Sequence, residues 1–161
     1  MRTVIGVMGS GGRLTPAAHD AAYRLGAAIA ARGWVLLTGG SACGVMNAAS
    51  HGAHEAGGLV LGVLKGESSA GASRYVAVAI RTGMGDARNV INVLTSDVVI
   101  ALPGGAGTLS EVALGLKSGR TVIVLGWDPG AAMLMASAGR LLDAASVDEA
   151  LDIAERVISG E

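Results

Sequence analysis

Short apolar runs alternate with longer alanine-rich segments along most of this chain. The short runs are dominated by Val, Ile and Leu, which is typical of strands that are buried on both faces of a parallel sheet. We therefore expect strands at residues 2–8, 34–37, 59–64, 75–80 and 98–102 and, as the last one, at residues 121–125.

The segments between these runs carry the signals of helices. Pro16 stands at the first position of an alanine-rich helix that Gly33 ends, and proline and glycine are favoured at these two places. The apolar positions of the final segment recur at helical spacing and form one face. We expect helices at residues 17–31, 45–56 and 86–94, from residue 108 onward, and at 146–158.

The alternation of strands and helices predicts a doubly wound α/β fold, in which a parallel sheet lies between two layers of helices. The length of 161 residues suits one domain, and the sequence has no internal repeat or boundary, so we expect residues 1–161 to form a single domain. Residues 65–73 are small and polar, which predicts a surface loop and the most mobile segment of the chain.

The composition excludes several classes of protein. The net charge is −1, and Lys65 and Lys117 are the only lysines, so a nucleic acid is not an expected partner. No apolar run reaches the length of a membrane helix, and the first residues lack the features of a signal peptide. Cys43 is the only cysteine, which rules out an internal disulfide, and we interpret it as a small packing residue. These features predict a cytoplasmic protein.

Three glycine-rich turns follow predicted strands, at residues 9–12, 39–44 and 104–107. Ligands bind where the carboxyl ends of parallel strands meet, and a glycine turn followed by the free N–H groups of a helix start binds anions. For the third turn the alternative is ordinary capping, in which Thr108 and Glu111 form a capping box. The predicted phosphate-binding residues are Gly9, Ser10, Gly39, Gly40, Gly44, Arg88, Gly104, Gly105, Gly107 and Thr108.

Two charged residues near the third turn are candidates for chemistry. Arg88 begins a predicted helix among small residues, so its guanidinium could bind a phosphate or carboxylate through two bonds; alternatively, it is solvated and paired with Asp86. Glu111 lies one turn into the helix after Pro103. Its carboxylate could act as an acid or base, or stabilise a cationic sugar-like transition state, unless its role is to cap the helix.

The remaining candidates indicate no metal chemistry. His51 and His54 lie on one helical face, but no further cysteine, aspartate or histidine completes a ligand set, so we expect no metal site. We interpret Met133 and Met135 as residues of the core or of a subunit interface. Because the chain is so apolar, we expect an aliphatic surface, which favours a homo-oligomer over a monomer.

The segment from Pro103 to Glu111 resembles the PGGxGTxxE motif of the Lonely Guy (LOG) superfamily. Arg88 stands fifteen residues before Pro103, where that family's Arg-Lys motif places its arginine. The stretch that begins at Gly44 is similar to the family's Gly-Leu-Met, and the one at Gly9 to its first loop. The resemblance implies a Rossmann-like fold and a homodimer or homotetramer.

Two branches of this superfamily have different implied functions. In LOG enzymes, Arg88 and Glu111 would be the catalytic pair that cleaves the N-glycosidic bond of a nucleoside 5′-monophosphate, releasing a free base and ribose 5-phosphate. The shorter branch includes the molybdenum cofactor carrier proteins, which bind the pterin phosphate of the cofactor without a reaction of their own. Asn89 in place of the LOG lysine, Ala106 in place of the frequent tyrosine, and the short chain favour the second branch.

The leading hypothesis is therefore a binding protein for a phosphate-bearing nucleotide or pterin, with no required cofactor. Its ligand would be a nucleotide monophosphate or the molybdenum cofactor. The alternative is a phosphoribohydrolase that uses Arg88 and Glu111. A third interpretation is a structural protein whose helices form an oligomer interface around a vestigial pocket. A decarboxylase that uses pyridoxal phosphate is disfavoured, because neither Lys65 nor Lys117 lies at a recognisable Schiff-base site.

Overall fold

A seven-stranded sheet, parallel throughout, forms the centre of the computed structural model, which describes residues 1–160. Its strands are β1 (Val4–Met8), β2 (Val35–Thr38), β3 (Val60–Leu64), β4 (Val78–Arg81), β5 (Val98–Ala101), β6 (Thr121–Leu125) and β7 (Leu141–Ala144). Their order across the sheet is β4-β3-β2-β1-β5-β6-β7. Because β1 pairs with both β2 and β5, the strand order reverses at β1, which creates a crevice at the carboxyl edge.

Helices cover both faces of this sheet. They are α1 (Pro16–Ala31), α2 (Gly44–Glu55), α3 (Asn89–Thr95), α4 (Ala106–Lys117), α5 (Ala131–Ala136) and α6 (Val147–Ser159), and a 3₁₀ turn at Gly85–Arg88 precedes α3. Apolar residues of α1, α2 and α6 form one buried cluster, and those of α3 and α4 form another. Along β5, Val98 and Ile100 belong to the first cluster and Val99 and Ala101 to the second, so the two clusters lie on opposite faces. The predicted Rossmann-like α/β fold is confirmed.

The prediction that residues 121–125 form the last strand is wrong, because β7 follows and pairs with β6. In β7 only Ala144 is buried, and Asp143 is exposed, so this edge strand lacks the continuous apolar run of the inner strands. The short helix α5 was not predicted either. Its six residues are all apolar and too few to show a helical period, and none of them is buried.

Smaller corrections concern single residues. Met133 packs partly buried against the second cluster, but Met135 is 86% exposed, so Met135 is not a core residue. The strand predicted at 75–80 lies at Val78–Arg81, which leaves Tyr75 in the preceding loop. The helix predicted from residue 108 begins at Ala106. Within residues 1–160, no helix combines the length and the apolar character that crossing a bilayer requires.

Candidate functional site

A cavity of about 680 Å³ opens at the carboxyl edge of the sheet, beside β1. Its volume lies within the range of small-molecule sites. Four segments that follow strands and the start of α3 form its wall. The lining residues are Val7, Met8, Gly9, Ser10, Gly11, Gly39, Ser41, Met46, Leu64, Lys65, Gly66, Ser68, Ala70, Gly71, Asp86, Arg88, Asn89, Gly105, Gly107, Thr108 and Glu111.

Ser10 connects the three glycine turns through its backbone. Its N–H donates to the carbonyl oxygen of Pro103 at 3.1 Å, and its own carbonyl accepts from the N–H of Val45 at 2.9 Å. Its hydroxyl accepts from the N–H of Gly12 at 3.0 Å. The turns after β1, β2 and β5 are thus held together, as the sequence analysis expected of turns at one sheet edge.

Three of the predicted glycines shape the turns without lining the cavity. A Cβ on Gly44, whose φ is +56°, would lie 2.0 Å from the carbonyl oxygen of Ser10. A Cβ on Gly104 would lie 2.0 Å from Oγ1 of Thr108. Gly40 likewise leaves no room, since its Cβ would lie 2.7 Å from a methyl carbon of Leu64. These glycines permit close packing of the turns, whereas the cavity wall itself contains Gly9, Ser10, Gly39, Gly105, Gly107 and Thr108.

The capping-box interpretation of the third turn is wrong. The residue before α4 is Gly105, and no side chain caps this helix. Thr108 is 4% exposed and lies inside the first turn. The first N–H groups of a helix have no partner within the helix and carry its positive partial charge. With Gly105, Gly107 and Thr108 in the wall, this uncapped helix start borders the cavity.

Arg88 is held rigidly at one side of the cavity and is only 5% exposed. Its Nη1 donates to the carbonyl oxygens of Gly39, at 2.7 Å, and of Val63, and its Nε donates to Oδ1 of Asn89 at 3.0 Å. Within residues 1–160, Nη2 has no hydrogen-bond partner in the protein. A ligand can therefore bind Nη2 directly, whereas a two-bond clamp would have to displace an existing partner.

The alternative of a solvated Arg88 paired with Asp86 is also wrong. Asp86 is instead bound to Lys65, and both side chains lie at the exposed mouth of the cavity. Burial lowers the pKa of Arg88, and the negative charges of Glu111 and Asp86 oppose this shift. An arginine remains protonated under such conditions, so Arg88 supplies a fixed positive charge.

Gly39 makes the position of Arg88 sterically allowed. A Cβ on Gly39 would lie 2.5 Å from Nη1 and 2.8 Å from Nη2 of Arg88. Gly39 was predicted to bind phosphate. In the structure, Gly39 lines the cavity and also leaves the space that the guanidinium occupies.

Glu111 lines the same cavity and is 7% exposed. Its Oε1 accepts a hydrogen bond from Nδ2 of Asn92 at 2.7 Å. Burial raises the pKa of this carboxyl group, while the Asn92 hydrogen bond and the charges of Arg88 and Lys65 oppose the rise. The site therefore combines a fixed cation with a carboxyl group whose titration is shifted towards neutral pH.

The segment after β3 contributes to the cavity, which was not predicted from the sequence. Residues 65–73 were predicted to be a mobile surface loop, yet Lys65, Gly66, Ser68, Ala70 and Gly71 line the cavity. The signal was available, because this segment follows the carboxyl end of a strand, as the glycine turns do. It contains polar residues but no glycine cluster directly after the strand, so it did not resemble the other turns.

The other candidate residues lie outside the cavity. His51 stacks on Tyr75 with ring centroids 4.3 Å apart, and its Nε2 lies 3.2 Å from Oε1 of Glu55. Among residues 1–160, no group of three or more His, Cys, Asp or Glu side chains could hold a metal ion. Cys43 is exposed at the start of α2, so its interpretation as a packing residue is wrong.

Comparison with known proteins places these features in a family. The model of the SLOG cluster4 family matches residues 2–151. The molybdenum cofactor binding protein from the phototrophic bacterium Rippkaea orientalis is 47% identical, with a TM-score of 0.93 and a match that covers 98% of each chain. The Moco carrier protein from Chlamydomonas reinhardtii is 39% identical, with a TM-score of 0.93 and a match that covers 100% of each chain.

The similarity to LOG enzymes is more limited. The cytokinin riboside 5′-monophosphate phosphoribohydrolase LOG of Oryza sativa subsp. japonica is 35% identical over 97 residues, which are 58% of this chain and 40% of the rice protein. The predicted membership of the LOG-like superfamily, near the molybdenum cofactor carriers, is confirmed. With a family model matched over nearly all of its length, the chain belongs to the SLOG cluster4 family.

Proposed function

We propose that this protein is a carrier that binds a small phosphate-bearing ligand, a pterin or a nucleotide, in the cavity at the carboxyl edge. The observation that carries this proposal is the similarity, over the whole chain, to proteins named for binding or carrying the molybdenum cofactor. The cavity provides the matching chemistry, because an uncapped helix start and the Arg88 guanidinium both border it.

The ligand's phosphate would lie against the first turn of α4 and the turn at Ser10 and Gly11. Backbone N–H groups at a helix start favour a negative group there, and Nη2 of Arg88 is free to donate to it. The wall also contains Met46 and Leu64 together with small residues of the 65–73 loop, which suits a flat ring system. Among residues 1–160, neither cysteine nor histidine lines this cavity, so the phosphate and the ring, not the molybdenum, would be the groups that the protein holds.

A binding panel tests this proposal. Purified protein is titrated with the molybdenum cofactor, with nucleoside 5′-monophosphates and with the nucleosides that lack the phosphate, and thermal unfolding is followed. A ligand present at a hundred times its Kd stabilises the folded state by about 2.7 kcal/mol. We expect such stabilisation from the cofactor or a monophosphate and none from the nucleosides. If no phosphorylated compound binds, the proposal is wrong.

A second candidate function is hydrolysis of a nucleoside 5′-monophosphate. It is supported by the presence of Arg88 and Glu111 in one cavity. Glu111 would stabilise the cationic ribose while Arg88 holds the substrate. The test is to incubate the protein with the monophosphates and measure the free base by chromatography, with Glu111→Gln as control. Base release that disappears in the variant would support the enzyme and exclude a pure carrier.

We also propose that the protein is a homodimer, or a homotetramer built from that dimer. On the edge strand β4, Val78 and Ile80 are 47% and 37% exposed, and they lie on the same face as Val63 of the second cluster. On α3, which covers this face, Val90 and Leu94 are also exposed. Parallel sheets are normally covered on both faces. A second copy of this chain would provide the cover that β4 lacks.

A further inference from the structure

A chain of hydrogen bonds connects the Arg88 guanidinium with the first turn of α4. Nε of Arg88 donates to Oδ1 of Asn89 at 3.0 Å, and Nδ2 of Asn89 donates to Oγ of Ser110 at 2.9 Å. The Ser110 hydroxyl donates in turn to the carbonyl oxygen of Gly107 at 2.7 Å. The Arg88 guanidinium is thereby connected to the start of α4.

The direction of this chain requires a side chain at residue 89 that both accepts and donates, as the amide of Asn89 does. Ser110 uses its only hydrogen on Gly107, so towards Asn89 it can only accept, and Nε of Arg88 can only donate. Asn89 must therefore offer an acceptor to one neighbour and a donor to the other. A carboxylate or an apolar side chain cannot do both. Asn89 is only 6% exposed, so a partner left without its hydrogen bond would be poorly compensated by water.

We propose that Asn89 is a positioning residue that holds the Arg88 guanidinium so that Nη2 is presented to the ligand. This inference rests on the proposed binding of a phosphate-bearing ligand. Two backbone carbonyls hold Nη1, and among residues 1–160 Asn89 is the side chain that holds the Nε edge. Removal of Asn89 frees that edge and leaves the guanidinium held at Nη1 alone, so that Nη2 is positioned less precisely.

A variant of Ser110 distinguishes the positioning of Arg88 from a direct contact between Asn89 and the ligand. Asn89 itself lines the cavity, so its loss could act on the ligand directly. Ser110 does not line the cavity, and the loss of its hydroxyl would act through Asn89 and the turn at Gly107. Ser118, exposed at the end of α4, is a matched control because its side chain has no part in this chain of bonds.

The test is a double-mutant cycle of Arg88→Ala and Asn89→Ala, with Ser110→Ala and Ser118→Ala measured beside it. Affinities for the molybdenum cofactor and for adenosine 5′-monophosphate are titrated, and thermal unfolding verifies each fold. For whichever probe binds, we expect Asn89→Ala to weaken affinity about 10-fold in the wild-type background, as for the loss of a charged hydrogen bond. In the Arg88→Ala background the same change should cost less than about 2-fold. Ser110→Ala should weaken binding about 3-fold, and Ser118→Ala should not.

Each other outcome overturns the inference. Additive losses would mean that Asn89 contacts the ligand independently of Arg88, and an unchanged affinity of Asn89→Ala would mean that it positions nothing. If Asn89→Ala does not fold, equal ligand affinities of Ser110→Ala and Ser118→Ala are sufficient to reject the positioning role of Asn89. Failure of the wild-type protein to bind either probe would instead reject the proposed function on which the inference depends.

Discussion

Arg88 and Glu111 lie in one cavity but are constrained in different ways. The guanidinium uses three of its five N–H groups on fixed acceptors, whereas Glu111 accepts one side-chain hydrogen bond, from Asn92. Burial raises the pKa of Glu111, and the neighbouring donors and positive charges oppose it. Arg88 stays charged at all relevant pH values, so Glu111 is the buried group of the site that responds to pH.

The first prediction concerns the pH dependence of stability. In the unfolded chain Glu111 titrates near 4.5, and in the folded protein its pKa is higher, so folding takes up a proton between the two values. Stability therefore falls as pH rises through this window, by about 1.4 kcal/mol for each unit of raised pKa. We expect Glu111→Gln to be more stable than wild type at pH 7 and above, and the difference to vanish near pH 4. Thermal unfolding across this range measures it; a difference independent of pH would contradict the assignment.

The second prediction concerns the space that Gly39 leaves for Arg88. In Gly39→Ala the new methyl group would lie within 2.5 Å of Nη1, so the guanidinium must leave its carbonyl partners. We expect a loss of stability of about 1–3 kcal/mol and loss of the protected Nε–H signal of Arg88 in NMR spectra. Gly105→Ala is the matched control, because a Cβ there meets nothing within 4 Å. An unchanged Arg88 signal in Gly39→Ala would be inconsistent with the geometry.

The charged residues of the site could be predicted from the sequence, but the residues that hold them in place could not. Arg88 and Glu111 stand at recognisable distances from the glycine turn, so their presence at one edge could be predicted. The roles of Asn89 and Asn92 depend on contacts with α4, and nothing in the local sequence of α3 specifies those partners. The steric role of Gly39 could not be predicted for the same reason, because Arg88, for which it leaves space, lies far along the chain.

At the scale of elements, the loop after β3 is anchored more firmly than its composition predicts. The N–H of Ser73 donates to the carbonyl oxygen of Gly40 at 2.8 Å, and its hydroxyl donates to Oδ1 of Asn47 at 2.8 Å. The N–H of Ala42 donates to the carbonyl oxygen of Gly71 at 2.9 Å. Small polar residues predict mobility when they are solvated, but here Ser73 and Gly71 bond to the turn after β2.

The third prediction tests this anchor. Ser73→Ala removes the hydroxyl that binds Asn47 and leaves the backbone bond to Gly40 intact. We expect a loss of about 1 kcal/mol in stability and faster amide hydrogen exchange confined to residues 66–73. Ser69→Ala is the control, because Ser69 is exposed and its hydroxyl makes no hydrogen bond among the described residues. Equal exchange rates in the two variants would show that the Ser73 hydroxyl does not anchor the loop.

At the scale of the whole molecule, the alternation of buried strands and helices was sufficient to predict the fold class. The inner strands are continuous apolar runs, such as β5, in which every residue is buried. The pattern failed at the far edge of the sheet, where β7 and α5 have few buried residues. At the opposite edge the pattern did predict a strand, because β4 is mostly apolar, although the side chains of β4 are largely exposed in a single chain.

The fourth prediction follows from this mismatch between the sequence of β4 and its surroundings. If a second copy covers the face formed by β4 and α3, Ile80→Glu or Leu94→Glu would bury a charge in the interface, and the dissociation constant of the oligomer should rise by about 10-fold or more. Ile158→Glu is the matched control, because Ile158 on α6 is 37% exposed, as Ile80 is, but lies on the other side of the sheet. Light scattering across a dilution series measures the mass of each variant. Wild-type protein that is monomeric at all concentrations, or equal dissociation in the Ile158→Glu control, would mean that this apolar face does not bind a second copy.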